Sequence, residues 1–107
     1  MIYTIEEIKS RIIPIARKYE LQAVYLFGSY ARNEATTDSD VDILIDRNGS
    51  KIKTLFDMGG FFNETQDALG KKIDIVTVQS LEEEYNKKNN PGFAENLYKE
   101  RVCIYEQ

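Results

Sequence analysis

With 107 residues, 42% hydrophobic and 30% charged, the chain is sized for one domain with a real core, spanning residues 1–107. A net charge of −4 argues against direct nucleic-acid binding, which calls for a basic face. The absence of histidine and the single cysteine, Cys103, exclude His-based acid/base catalysis, His-ligated zinc, Ser-His and Cys-His triads and any intramolecular disulfide.

Thr4 and Glu7 form a capping-box pattern. Ile5, Ile8, Ile12, Ile15 and Tyr19 then recur at helical spacing, with Pro14 expected to bend or split the helix. A first strand is expected near Ala23–Phe27, a short helix over 29–33, and a loop over 34–38. A second strand follows near Val41–Asp46, closed by the turn-forming Asp46-Arg47-Asn48-Gly49. Leu55, Met58, Phe62, Thr65 and Leu69 outline a helix over about 51–69, with Gly70 as its C-cap. Gly59-Gly60 inside it points to close packing or a break. Residues 73–78 read as a third strand, and 81–90 as a polar, charged stretch. Asn90 and Pro91 suit the N-cap and first position of a last helix that buries Phe93, Leu97 and Tyr98. Residues 101–106 continue that helix or form an edge strand. The order indicates an α+β or α/β domain, a short mixed sheet flanked by helices.

The most informative pattern is Gly28-Ser29 followed by Asp40 and Asp42. One apolar run, Val24–Phe27, leads into the Gly-Ser, and a second, Val41 with Ile43–Ile45, carries the aspartates. Residues i and i+2 of a strand share a face, about 6.6 Å apart. Two carboxylates therefore stand together beside a tight glycine turn. Mg²⁺ is bound through one or two carboxylates plus substrate phosphates, and backbone N–H groups at a helix start suit phosphate. The arrangement can hold a metal–nucleotide complex. In the third strand Asp74 interrupts an apolar run, and Ile73 and Ile75 point away from it. If the aliphatic residues face one core, Asp40, Asp42 and Asp74 share the other face, where three carboxylates can bind two metal ions for phosphoryl or nucleotidyl transfer.

Each part alone is ordinary. An Asp-x-Asp is usually a solvated strand end, and a Gly-Ser usually a turn. An EF-hand fails because Ile43 and Gly49 stand where Gly and Glu are needed. No P-loop or kinase glycine loop is present. Arg32 suits either phosphate or an ion pair with Glu34 or Asp38. Lys71-Lys72 reads as a solvated turn, Phe61-Phe62 and Tyr98 as core, and Cys103 as a buried, inert thiol.

Gly28-Ser29-Tyr30-Ala31-Arg32, Ser39-Asp40-Val41-Asp42 and Gly70–Thr77 together resemble the minimal nucleotidyltransferases of the polymerase-beta superfamily, nearly end to end. Asn33 departs from the glycine usual there. The resemblance implies a Mg²⁺-dependent protein adenylyltransferase acting as the antitoxin of a HEPN-domain toxin, moving AMP from ATP to a tyrosine of that toxin. It implies that Gly28, Ser29, Arg32 and Ser39 bind nucleotide. Asp40, Asp42 and Asp74 are then the catalytic and metal residues, two Mg²⁺ ions are expected, and ATP is the substrate. Two alternatives stand beside it: a small-molecule nucleotidyltransferase of the antibiotic-modifying kind, and an antitoxin that acts by binding alone. The lone cysteine, the lack of a signal-peptide pattern and the lack of an apolar run of ~20 residues suit a cytoplasmic protein with no membrane span. Homo- or hetero-oligomers are both compatible.

Overall fold

The structure, a computed structural model, describes residues 2–86 and 91–107. Helix α1 (Ile5–Lys18) leads to β1 (Ala23–Phe27), the one-turn α2 (Gly28–Ala31) and β2 (Val41–Asp46). Helix α3 (Leu55–Leu69) crosses to β3 (Ile73–Thr77), followed by α4 (Val78–Asn86), α5 (Pro91–Glu100) and β4 (Val102–Glu106). The strands form one mixed sheet in the order β3-β2-β1-β4. β1 pairs antiparallel with β2 and β4, and β2 pairs parallel with β3. The expected short mixed sheet flanked by helices is therefore present. The last segment resolves as an edge strand, not as a continuation of α5.

Both sheet faces are covered, which fixes where polar groups can go. Val41, Ile43 and Ile45 of β2 join Ile8, Ile12, Phe61 and Leu69 in the larger core under α1 and α3. Leu44 turns the other way, to Phe27, Leu81, Ala94 and Leu97 under α4 and α5. Burial on both faces explains why β2 reads as a nearly continuous apolar run.

Local chemistry accounts for the helix ends. Thr4 and Glu7 make the reciprocal capping box. A second box, absent from the sequence reading, starts α3 later than expected. The Thr54 Oγ1 accepts from Asp57 N at 3.1 Å, and Asp57 Oδ2 accepts from Thr54 N at 3.1 Å. Gly70 ends α3 in the left-handed region at φ 64°. Gly60 answers to close packing, since a Cβ there would lie 2.9 Å from the Tyr19 hydroxyl.

Several expectations need correction. Helix α1 runs unbroken through Pro14; the burial of Ile8, Ile12 and Ala16 on both sides of it holds the helix together. Val78 starts α4 instead of ending β3, and the polar stretch is helical through Asn86. Phe93 is 39% exposed, and the buried side of α5 is Ala94 and Leu97. Cys103 is exposed because its side chain lies on the outer face of an edge strand. Lys71 is not a free solvated lysine: it donates to Thr37 O at 3.0 Å and holds the loop before Asp40. The N-cap expected at Asn90 lies outside the described residues.

Phe61 is fully buried, whereas Phe56 on the same helix is 91% exposed. Phe61→Ala should cost about 3–5 kcal/mol and Phe56→Ala less than about 0.5 kcal/mol, read as the shift in urea unfolding. Equal costs would mean that α3 is rotated from the position described here.

Candidate active site

The β2–β3 register sets Asp42 directly beside Asp74, and Leu44 beside Val76. Asp42 and Asp74 therefore share the α4–α5 face, opposite Val41 and Ile43. On the other side Asp42 pairs with Phe27, so the chain reverses into Gly28 directly across from it. Gly28 has φ +72°, and a Cβ built there would fall 2.1 Å from Asp42 Oδ2. Only glycine permits both the backbone conformation and this approach. Asn33, at the end of the same turn, also adopts a left-handed conformation, with φ 60°. Asparagine tolerates that region better than most side chains, so it can stand where a glycine would.

Asp42 is half-buried and its neighbours are acidic. Burial first, then the charges of Asp74 and Asp40, push its carboxyl up to about 6, while Arg32 pulls the other way. Asp40 and Asp74 are exposed. Among the described residues, no three acidic side chains are drawn together into a ready-made cation cage. The donor chemistry still fits Mg²⁺. That ion keeps several waters and completes its shell with substrate phosphates, so it does not need an all-protein cage. The half-buried Asp42 carboxyl, raised beside two further acidic groups, is also one that a cation would relieve.

A cleft of about 600 Å³ opens beside this cluster. Phe27, Gly28, Arg32 and Asp42 line one wall; Phe93, Asn96, Lys99 and Glu100 of α5 line the other. Asp40 and Asp74 lie outside the lining. Arg32 donates to Glu100 Oε2 at 2.9 Å and, more weakly, to Glu34 Oε2 at 3.3 Å. The Gly28 N–H donates to Glu100 Oε1 at 3.0 Å. Burial raises the Glu100 carboxyl, but the Arg32 and Gly28 hydrogen bonds outweigh it and hold the group below its usual range. The Ser39 hydroxyl is turned into its own loop, accepting from Thr36 N at 2.8 Å.

Gly28, Arg32 and Asp42 thus meet at one cleft, with Asp74 beside Asp42, while the Ser39 side chain is engaged in its loop. The α5 wall is what the sequence reading missed. Phe93, Asn96 and Glu100 recur at i, i+3 and i+7, one helix face on which the aromatic residue shares its side with two polar ones. That spacing was the available signal, but nothing local says that α5 covers the Gly28 turn.

A sheet carrying a glycine turn against paired aspartates, closed by helix α5, is the arrangement of a nucleotidyltransferase domain. The family described as polymerase beta, nucleotidyltransferase matches residues 10–107, and the chain belongs to it. Over 105 residues it is 30% identical to the protein adenylyltransferase MntA of Thermococcus cleftensis, covering 94% of this chain and 96% of the relative. Over 77 residues it is 42% identical to MJ0435 of Methanocaldococcus jannaschii, a protein named as a candidate protein adenylyltransferase, covering 72% of this chain and 81% of the relative. The fold also matches the structure of a candidate minimal nucleotidyltransferase with a TM-score of 0.67, at 24% identity and 94% and 95% coverage. A chain from the complex of a tri-AMPylated Shewanella oneidensis HEPN toxin with an MNT antitoxin matches with a TM-score of 0.63, at 18% identity and 96% and 73% coverage.

The position of Asp42 predicts a pH signature. A carboxyl whose pKa is higher folded than unfolded costs stability where it is ionised in both states and costs nothing where it is protonated in both. In chelated buffer, Asp42→Asn should stabilise the protein above pH 6, and the gain should fade as pH drops from 6 towards 4. Urea unfolding at pH 8, 6 and 4.5 reads this. A gain that does not change with pH would show that Asp42 is not held high.

Proposed function

We infer that this nucleotidyltransferase is a protein adenylyltransferase that moves AMP from ATP to a tyrosine of a HEPN-domain toxin and silences it as an antitoxin. The observation that carries the reading is the Gly28–Asp42–Asp74 juxtaposition at the cleft. The relatives' names and the toxin–antitoxin complexes that share the fold support the choice of a protein acceptor. The Thermococcus cleftensis relative is matched over 96% of its length, in keeping with one minimal nucleotidyltransferase domain over 1–107.

In this reading the triphosphate lies along the cleft, with its phosphates toward the Gly28–Ser29 turn and Arg32. The Gly28 N–H and the Arg32 guanidinium are phosphate donors; a charge-assisted hydrogen bond of this kind is about twice as strong as a neutral one. Asp42, with Asp40 and Asp74, would hold Mg²⁺, which supplies charge neutralisation at the α-phosphate and positions the triphosphate. Asp74 is exposed at the open edge of the sheet, where a protein hydroxyl can approach and pass its proton to the carboxylate. A tyrosine hydroxyl ordinarily titrates near 10, so an adjacent base lowers the barrier to attack. The hydroxyl oxygen bonds to the α-phosphorus, and pyrophosphate departs. Ser39 acts through the loop: with Lys71 it fixes the approach of the chain to Asp40. The acidic surface balance suits a basic partner, and the protein works in the cytoplasm with no nucleic-acid contact of its own.

Incubation of the neighbouring-gene product with this protein, ATP and Mg²⁺ should add mass in whole AMP units, read by intact mass spectrometry. Asp42→Asn should lower the rate by about 10²–10³-fold, the range for losing one electrostatic stabilising group, since it removes a metal-binding carboxylate without changing shape. Undiminished transfer by Asp42→Asn would sink the mechanism. Transfer to an aminoglycoside with none to protein would favour the small-molecule enzyme, and toxin neutralisation by an Asp40→Ala/Asp42→Ala variant would favour binding alone.

A further inference from the structure

Glu100 faces the cleft in an arrangement that the nucleotidyl-transfer reading does not use. Its two oxygens bridge a backbone N–H and a guanidinium, accepting from Gly28 at 3.0 Å and from Arg32 at 2.9 Å. A planar anion accepting from this donor pair presents the same chemistry as two oxygens of a phosphate. We propose that the Glu100 carboxylate is an intramolecular stand-in for a nucleotide phosphate, occupying Gly28 N–H and Arg32 until a triphosphate displaces it. The proposal rests on the nucleotide reading above and names the competitor for that same site.

Three observations carry it. First, the location is unfavourable for another carboxylate. Glu100 adds its negative charge to a cleft that Asp42 also lines. It stays because those two donors offset that repulsion. Second, the competitor can leave without unfolding anything. Glu100 is the last residue of α5, whose backbone is anchored by the buried Ala94 and Leu97, so only its side-chain torsions need change. Third, the cation that would follow the nucleotide is already at hand. Lys99 lines the same cleft and has no ion pair among the described residues, whereas Arg32 is paired. A triphosphate would free Glu100 to solvent, take over Arg32 and gain Lys99.

A purely structural role makes the opposite prediction. If Glu100 braced the turn, its loss would loosen Gly28 and Arg32 and weaken anion binding. If it competes, its loss strengthens binding. Calorimetric titration of Mg²⁺-ATP, and of inorganic tripolyphosphate in chelator as a probe with no base, into wild type, E100Q and E100A decides between these. We expect affinity for both probes to rise, roughly three- to tenfold for E100A and less for E100Q, the equivalent of surrendering about one ordinary hydrogen bond. In the ¹⁵N–¹H spectrum the Gly28 amide should move in E100A and return on adding tripolyphosphate. Weaker or unchanged affinity in a variant that still unfolds cooperatively overturns the proposal; E100Q serves if E100A does not fold. Wild-type binding of Mg²⁺-ATP that Asp42→Asn removes would keep the nucleotide reading whatever the Glu100 variants do. Failure of every protein to bind either probe sinks both.

Discussion

The contact between Gly28 and Asp42 governs the cleft end of the molecule. Asp42 Oδ2 occupies the space a Cβ of residue 28 would need, 2.1 Å from that position. The glycine therefore does two things at once. It lets β1 turn at positive φ into a one-turn helix, and it lets the carboxylate close on the backbone whose N–H faces the cleft. Any other residue would be strained at this positive φ and would displace the Asp42 carboxylate from the turn. The acidic pair, the turn and the open cleft are consequences of one missing methyl group.

Charge organises the rest of the site. Asp42, Asp74, Asp40 and Glu100 gather negative charge at one end of the sheet, against Arg32 and Lys99. The burial of Asp42, and after it the like charges beside it, cost stability, which the raised Asp42 carboxyl records. Stability spent at one spot and recovered in a well-packed core is the usual signature of a site kept for chemistry. Here the core on the opposite face, with Ile8, Ile12, Ile43 and Phe61 fully buried, supplies the offset.

The fold was legible where signals are local. The Thr4–Glu7 cap, the β1 and β2 boundaries and the Gly70 stop follow from spacing and side-chain chemistry within a few residues. The phase of Asp74 was legible too, because alternation along a strand is strict. What the chain did not reveal depends on distant contacts. Glu100 reaches Arg32 across 68 positions, and no sequence rule pairs them. Phe93 looked like core because aromatic residues on a short helix usually are, yet its ring stands at a cleft edge against Phe27. Cys103 was read as buried from its apolar neighbours, but alternation on an edge strand gives one face to solvent. Pro14 shows the limit of propensity: a residue that breaks an isolated helix is carried when both flanking turns are packed.

The sheet order has a kinetic consequence. Central strand β1 pairs with β2 soon after it in the chain and with β4 at the far end, Ala23 meeting Glu106. Closing so long a loop adds little to the equilibrium cost, because that cost grows only with the logarithm of length. It slows the search, however, since non-local pairings must form before they are rewarded. The β1–β2 hairpin and its aspartates can assemble early. The α5–β4 segment, which supplies the second cleft wall, docks late. As an edge strand paired on one side only, β4 should exchange its amide hydrogens faster than β2, which is paired on both.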